Sequence, residues 1–530
     1  MRIFGSSLTA VALLLASGSA AHAQARENDR VAIAVDTAKP GPKIDRNIFG
    51  QFAEHLGTGI YGGVWVGKDS PIPNVRGIRK DVVAALKAIK VPNVRWPGGC
   101  FADEYHWRHG IGPAKDRHNT INSNWGGAIE PNTFGTDEFF DFIGQIGSEA
   151  YVSVNIGSGT VEEAADWLAY MTADPKTTAG KERAANGHPA PYKVKYLGLG
   201  NESWGCGGSY SAGHYVELMR PFARFVRNYN PAQTGAETMQ RIAVGPDGDK
   251  TEYTEAVMKA YKERNWAWGI EGLSLHSYTT NGWPPAYASE NFDESAYAGL
   301  VKATLNMESL VSRHSAIMDK YDPEKKVPLV VDEWGVWLKP NAGSDPGFLQ
   351  QQNSLRDAIV AALNINIFAR HADRVRMTNI AQMINVLQAM ILTDKDKMVL
   401  TPTYHVFDMY VPFQDATLVP LSFDAGTYSH GDVKLPRIDA IAARDSAGKL
   451  WMAVTNLDPN RPARVETAIA GESVRWARGR VLTAPRFDAV NSFTSPDTVS
   501  PKAFTGRVSG KNKVSLDIPA ASIVVVQVGA

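Results

Sequence analysis

Cysteine is scarce: Cys100 and Cys206 are the only two in 530 residues. That excludes a disulfide scaffold and a thiolate metal cluster. Net charge is missing too, with 55 Lys and Arg against 55 Asp and Glu. A balanced chain has no strong field for nucleic acid or an anionic membrane, so neither is expected as a partner. No apolar run is long enough to cross a bilayer. No Gly-rich dinucleotide loop follows the first strand, where Gln51-Phe-Ala-Glu54-His55 stands instead. There is no His-Glu-x-x-His pair for zinc and no Gly-x-Ser-x-Gly elbow for a serine nucleophile. His106 and His109 could mimic a metal pair, but no such motif and no Cys cluster supports it. Neither a metal nor a cofactor is expected.

What is present starts with Arg2 and a short apolar run, Leu8 to Ala16, ending in Ala21-His-Ala23. This reads as a signal peptide over residues 1–23, cleaved before Gln24, and predicts an exported protein, periplasmic or secreted. Apolar residues make up 44% and charged residues 21%, an ordinary globular balance, and the length suits two or three domains.

Apolar runs then alternate with helix-period stretches. The runs are Ile48–Phe52, Val91–Trp96, Tyr151–Ile156, Val194–Leu199, Ile242–Gly245, Gly272–Leu275, Leu329–Val331 and Asn379–Met383. Helical stretches separate them, among them Thr136–Gly147, His214–Tyr229 and one long helix over Ala296–Tyr321. Eight strands with helices between them predict an α/β fold, a (β/α)₈ TIM barrel over residues 48–395. An open doubly wound sheet is the alternative. From residue 396 to 530 short strands and turns dominate, including a hairpin about Asp445-Ser-Ala-Gly448, and a C-terminal β-sandwich is expected. Residues 24–47, with a strand at Val31–Val35, are expected to join that sandwich.

Two segments share one grammar. Tyr196-Leu-Gly-Leu-Gly-Asn201-Glu202-Ser-Trp204 and Val327-Pro-Leu-Val-Val-Asp332-Glu333-Trp334 are apolar strands that stop on a carboxylate followed by Trp. One such Glu more often caps a helix or sits in water. A pair at the C-terminal ends of two barrel strands is what acid/base or double-displacement chemistry on a glycosidic bond requires. Other strand ends add Glu54-His55, Cys100, Asp103, His276-Ser-Tyr278 and Gln382. Trp65, Trp107, Trp125, Trp204 and Trp337 are candidates for a sugar platform, with at least half of them expected in the core.

Arg95-Trp-Pro-Gly-Gly-Cys100-Phe-Ala-Asp-Glu-Tyr-His-Trp107, Gly200-Asn-Glu202 and Asp332-Glu333-Trp334 resemble glycoside hydrolase family 51. The likeness continues through Thr401-Pro-Thr-Tyr-His405 and Asn491-Ser-Phe493. The family's typical activity is α-L-arabinofuranosidase. The resemblance implies that Glu202 is the acid/base and Glu333 the nucleophile of a retaining reaction. It implies substrate contacts from Glu54, Asn201, Tyr278 and Gln382, with Tyr278 also bonded to the nucleophile. Cys100 stands at a further substrate position, where many members carry Asn. Expected partners are arabinose-containing polysaccharides or oligosaccharides, attacked from the chain end, and homo-oligomers are common among members. Another retaining glycosidase, such as a β-xylosidase or endoglucanase, and a non-catalytic carbohydrate-binding barrel are the rival readings. Cys100 and Cys206 follow strands two and four on one rim, so a disulfide and two free thiols both stay open.

Overall fold

The computed structural model describes residues 30–529, and the expected signal peptide lies outside them. Eight parallel strands close a barrel: β2 (Gly50–Phe52), β3 (Asn93–Trp96), β4 (Glu149–Val154), β5 (Val194–Leu199), β6 (Gln240–Ala243), β7 (Gly272–Thr279), β8 (Leu329–Val336) and β9 (Val375–Ile380). These strands are buried on both faces, which is why they appear in the sequence as continuous apolar runs and not as alternating patterns. Around them lie α1 (Lys80–Ala88), α2 (Thr136–Ile146), α3 (Val161–Thr172), α4 (Thr178–Ala185), α5 (Ala212–Phe225), α6 (Glu252–Glu263), α7 (Glu294–Thr304), α8 (Asn306–Tyr321) and α9 (Leu355–Arg370).

Local chemistry sets the helix ends. The Thr160 and Ser211 side chains accept the N–H groups of Glu163 and His214, opening α3 and α5. Gly147 closes α2 in the left-handed conformation at φ 74°. The single helix expected over 296–321 is instead two, broken at Leu305. The Thr304 hydroxyl donates to the Leu300 carbonyl at 2.9 Å, a back-bond that bends helices.

Beyond α10 (Pro402–Tyr410) the chain forms β10 (Thr417–Val419), β11 (Leu421–Phe423), β12 (Ile438–Arg444), β13 (Leu450–Asn456), β14 (Ala463–Ala470), β15 (Trp476–Thr483), β16 (Lys502–Ser509), β17 (Lys513–Ile518) and β18 (Ser522–Gly529). With β1 (Arg30–Asp36) they make a ten-stranded sheet in the order β10-β12-β13-β18-β15-β16-β17-β14-β1-β11. The sheet folds into a sandwich at β16, whose first five residues pair with β15 and whose last three pair with β17. Gly506 sits at that turn, where a Cβ would come within 2.5 Å of Leu516. Val31, Ile33 and Val35 alternate inward and pack with Val465, Leu516 and Val526.

Helix α9 joins the two parts. Leu355 through Ala369 are all buried, so it is apolar on every side. Ala443, Ala453 and Ile523 of the sandwich belong to the same apolar cluster as the barrel helices. Asn366 donates to Asp439 across this contact at 2.7 Å.

Candidate active site

The C-terminal ends of the barrel strands converge on a cavity of about 480 Å³. Glu54, Cys100, Glu202, Tyr278, Glu333 and Gln382 all line it. Asn201 does not. It is buried behind the wall, where its side-chain oxygen accepts from Arg95 and its amide lies 3.7 Å from Cys206 Sγ. Of the expected sugar platform, Trp125, Trp204 and Trp337 line the cavity, while Trp65 and Trp107 are core residues. Trp283 is a further wall residue, packed edge-on against Trp337.

Register brings the two halves together. Between Ser274 and His276 the pairing of β7 with β8 slips, so His276 lies opposite Glu333. A second slip between Val331 and Trp334 affects the pairing of β8 with β9. An irregular strand escapes the strict inward and outward alternation of side chains. Both Asp332 and Glu333 therefore reach the same buried cluster.

Glu333 is held at both oxygens. Arg95 donates to Oε1 at 2.8 Å and Tyr278 donates to Oε2 at 2.7 Å. Arg95 also lies 3.5 Å from Asp332, whose other interactions include a 2.7 Å bond from the Tyr151 hydroxyl. Burial works against the Arg95 charge, but Asp332 and Glu333 outweigh it and hold the guanidinium well above its ordinary range. Gly98 and Gly99 let the loop after β3 pass close to the acids. A Cβ at Gly99 would lie 2.7 Å from Glu333 Oε1, and one at Gly98 would lie 2.8 Å from Glu54.

Glu202 faces Glu333. One oxygen of each, together with a nitrogen of His276, lie within 4.8 Å of one another. His276 Nδ1 is 2.9 Å from Glu202 Oε1, and Nε2 is 3.2 Å from Asp332 Oδ1. Burial raises the Glu202 carboxyl above its ordinary value; the His276 bond lowers it, and the Glu333 charge raises it again. Glu202 also sits at φ 23°, a strained conformation for a non-glycine residue. Burial alone would keep His276 neutral, but Glu333 and Asp332 lift it to about 10. Glu202, His276 and Glu333 have ligand-like spacing, but both ring nitrogens of His276 are already engaged, with Glu202 and with Asp332.

Glu54 forms the opposite wall. Gly99 N–H, Phe101 N–H and the Trp125 indole donate to one oxygen at 3.0, 3.1 and 3.0 Å, and Gln382 donates to the other at 3.0 Å. Burial first, then the Glu333 charge, lift its carboxyl to about 7. Cys100 is joined to Cys206, tying the loop after β3 to the loop after β5. A sulfur in a disulfide has no S–H to donate, so Cys100 offers the cavity a surface and not a donor.

Several residues here carried no role in the sequence reading. Arg95 had a signal: a charge inside a strand, Asn93-Val-Arg-Trp, otherwise buried throughout. His276 stood at a strand end. Asp103 had none beyond its motif. It accepts from the N–H groups of Ile156, Gly157 and Asn201 at 2.8, 3.0 and 2.8 Å, and so pins the approach to Glu202.

The sequence matches the α-L-arabinofuranosidase 1 domain over residues 85–280 and the α-L-arabinofuranosidase C-terminal domain over residues 332–522. An intracellular exo-α-L-arabinofuranosidase of Bacteroides ovatus is 43% identical, covering 91% of this chain and 93% of its own length. The crystal structure of the GH51 arabinofuranosidase from Xanthomonas axonopodis pv. citri superposes with a TM-score of 0.91 at 51% identity, over 94% of this chain and all of that one. The arabinose complex of the Thermotoga maritima α-L-arabinofuranosidase gives 0.79 at 30% identity, over 94% and 99%. The Bacteroides relative overturns the expectation of export, since this near full-length match is named intracellular. Fold, motifs and near full-length similarity agree, and the chain belongs to the α-L-arabinofuranosidases of glycoside hydrolase family 51, which are retaining glycoside hydrolases.

Proposed function

We propose that Glu333 is the nucleophile and Glu202 the acid/base of a double displacement that frees terminal arabinofuranose from arabinoxylan, arabinan or their oligosaccharides. One observation carries the assignment: the carboxylates approach within 4.8 Å across the cavity floor. That spacing suits direct attack on the sugar and leaves no room for an intervening water, as inversion would need.

The charges sort the roles. Arg95 and His276 are cationic and offset Asp332 and Glu333. A third negative charge at Glu202 would be uncompensated, so Glu202 keeps its proton and Glu333 attacks. A Glu333 oxygen bonds to the anomeric carbon while Glu202 gives its proton to the departing oxygen. Glu202, now ionised, takes a proton from water, which displaces Glu333 and releases arabinose with its configuration retained. Glu54, Tyr278 and Gln382 supply polar contacts to one furanose, and Cys100 contributes shape. Asn201 acts from behind by holding Arg95. Trp283 and Trp337 are placed to meet the next unit of the substrate. We read residues 48–395 as the catalytic barrel and 396–530, with 24–47, as the sandwich.

The test is turnover of an aryl α-L-arabinofuranoside by Glu333→Ala. Both chemical steps need this carboxylate, so activity should fall by at least about 10⁴-fold with the fold unchanged. Near-normal turnover would remove Glu333 from the mechanism.

A further inference from the structure

A second cavity, of about 740 Å³, opens where the chain leaves α5 and α6 and enters β6 and β7. These connections reach the N-terminal ends of the strands, so the cleft lies on the barrel face opposite the catalytic cavity. Its lining is cationic: Arg224, Arg227, Arg241 and Arg264 face a single carboxylate, Glu271. Glu271 is already engaged, accepting from the backbone N–H and Nε of Arg241 at 2.8 and 3.3 Å. Arg224, Arg227 and Arg264 have no carboxylate partner among the described residues. Arg227 donates only to the Arg224 carbonyl, and Arg264 stacks on Tyr261.

Beside these arginines stands Trp266. It is 86% exposed, more than any other large apolar side chain described, and the Arg224 guanidinium lies 5.3 Å from its ring centre. An indole left in water next to unpaired guanidinium groups asks for a ligand that is flat and apolar on one side and anionic on another. A pyranose ring bearing a carboxylate has both features. Its C–H face covers the indole, and its carboxylate takes a bidentate guanidinium pair. A second copy of this chain fits less well, because a two-fold contact would set these arginines against themselves.

We infer that this cleft is a non-catalytic binding site for the uronic acid units of acidic polysaccharides. It holds saccharide chains that carry uronate together with arabinofuranose, while the catalytic cavity faces away.

Native gels cast with polygalacturonate, glucuronoxylan or a neutral galactan free of arabinose test the idea on the full chain. Both uronate polymers should retard the protein and the neutral polymer should not. Trp266→Ala, and separately the pair Arg224→Gln and Arg227→Gln, should each weaken the retardation about tenfold or more, equivalent to about 1.4 kcal/mol. Turnover of an aryl arabinofuranoside should stay unchanged in both, which shows that the fold is intact. Undiminished retardation of the variants overturns the site. So does equal retardation by the neutral polymer, or by single-stranded DNA, which would mark a general anion patch. A wild-type dimer that Trp266→Ala dissolves in sedimentation would overturn it in favour of a contact between copies.

Discussion

Glu54→Gln offers a sharp test of the electrostatics at the cavity wall. The Glu54 side chain is buried, and its carboxyl is lifted from an ordinary 4.5 to about 7. A raised constant means the folded chain holds the proton more tightly than the unfolded one. The stability this proton contributes is full below 4.5 and is lost as pH rises through about 7. The gap corresponds to about 3.4 kcal/mol between pH 4 and pH 8. Glutamine mimics the protonated acid. Its oxygen still accepts from Gly99, Phe101 and Trp125, and a turned Gln382 amide can accept from its nitrogen. The variant should match wild type at pH 4 and exceed it at pH 8. At about 2.1 cal/mol/K per residue, 500 residues unfolding together convert 3.4 kcal/mol into roughly 3 °C. Melting curves at one scan rate and both pH values measure it. Activity above pH 7 should fall, since a group proposed to meet the sugar has lost its charge there. An offset between variant and wild type that is equal at the two pH values would refute the reasoning.

Glu202→Ala should retain a first step on an activated aryl substrate and stall before release, and azide should restore turnover by replacing the water that Glu202 activates. No rescue, with an intact fold, would count against the acid/base role. The Cys100–Cys206 bond closes a loop with a separation of 106 residues, for which chain entropy assigns about 4.8 kcal/mol. Replacing both by Ser should lower the melting point by about 5 °C, and wild type purified in air should show no alkylated thiols under denaturing, non-reducing conditions; two labelled thiols would exclude the bond. Branched arabinoxylan should release free arabinose first if the polar wall encloses one furanose as proposed; mixed oligosaccharides appearing before monosaccharide would refute exo attack.

Most of the barrel was legible because parallel strands are buried on both faces and so appear as apolar runs. The runs failed at particular places. Strand β7 was expected to end at Leu275 and β8 at Val331, yet they reach Thr279 and Val336. The extra residues include His276, Tyr278, Asp332 and Glu333, whose polarity hides the strand where the chemistry sits. The two glutamates were legible from position alone. Their surroundings were not, because Arg95, His276 and Asp103 act through contacts between segments distant in sequence. The tryptophans show the same limit: nothing local separates Trp125, on the cavity wall, from Trp107, in the core.

The strand order of the sandwich has a consequence for how the molecule is made. Strand β1 is synthesised before the barrel, yet it lies between β14 and β11, which follow the barrel by dozens of residues. Strand β18 is the last of the described strands in chain order and sits between β13 and β15. The layer that holds β18 cannot close until that strand has been made, and β1 waits for β11 and β14. A nascent chain thus carries an unpaired apolar strand ahead of the barrel throughout synthesis of the barrel, open to pairing with other chains. Chaperone dependence during synthesis, and aggregation of fragments stopped before residue 522, are the price of that threading.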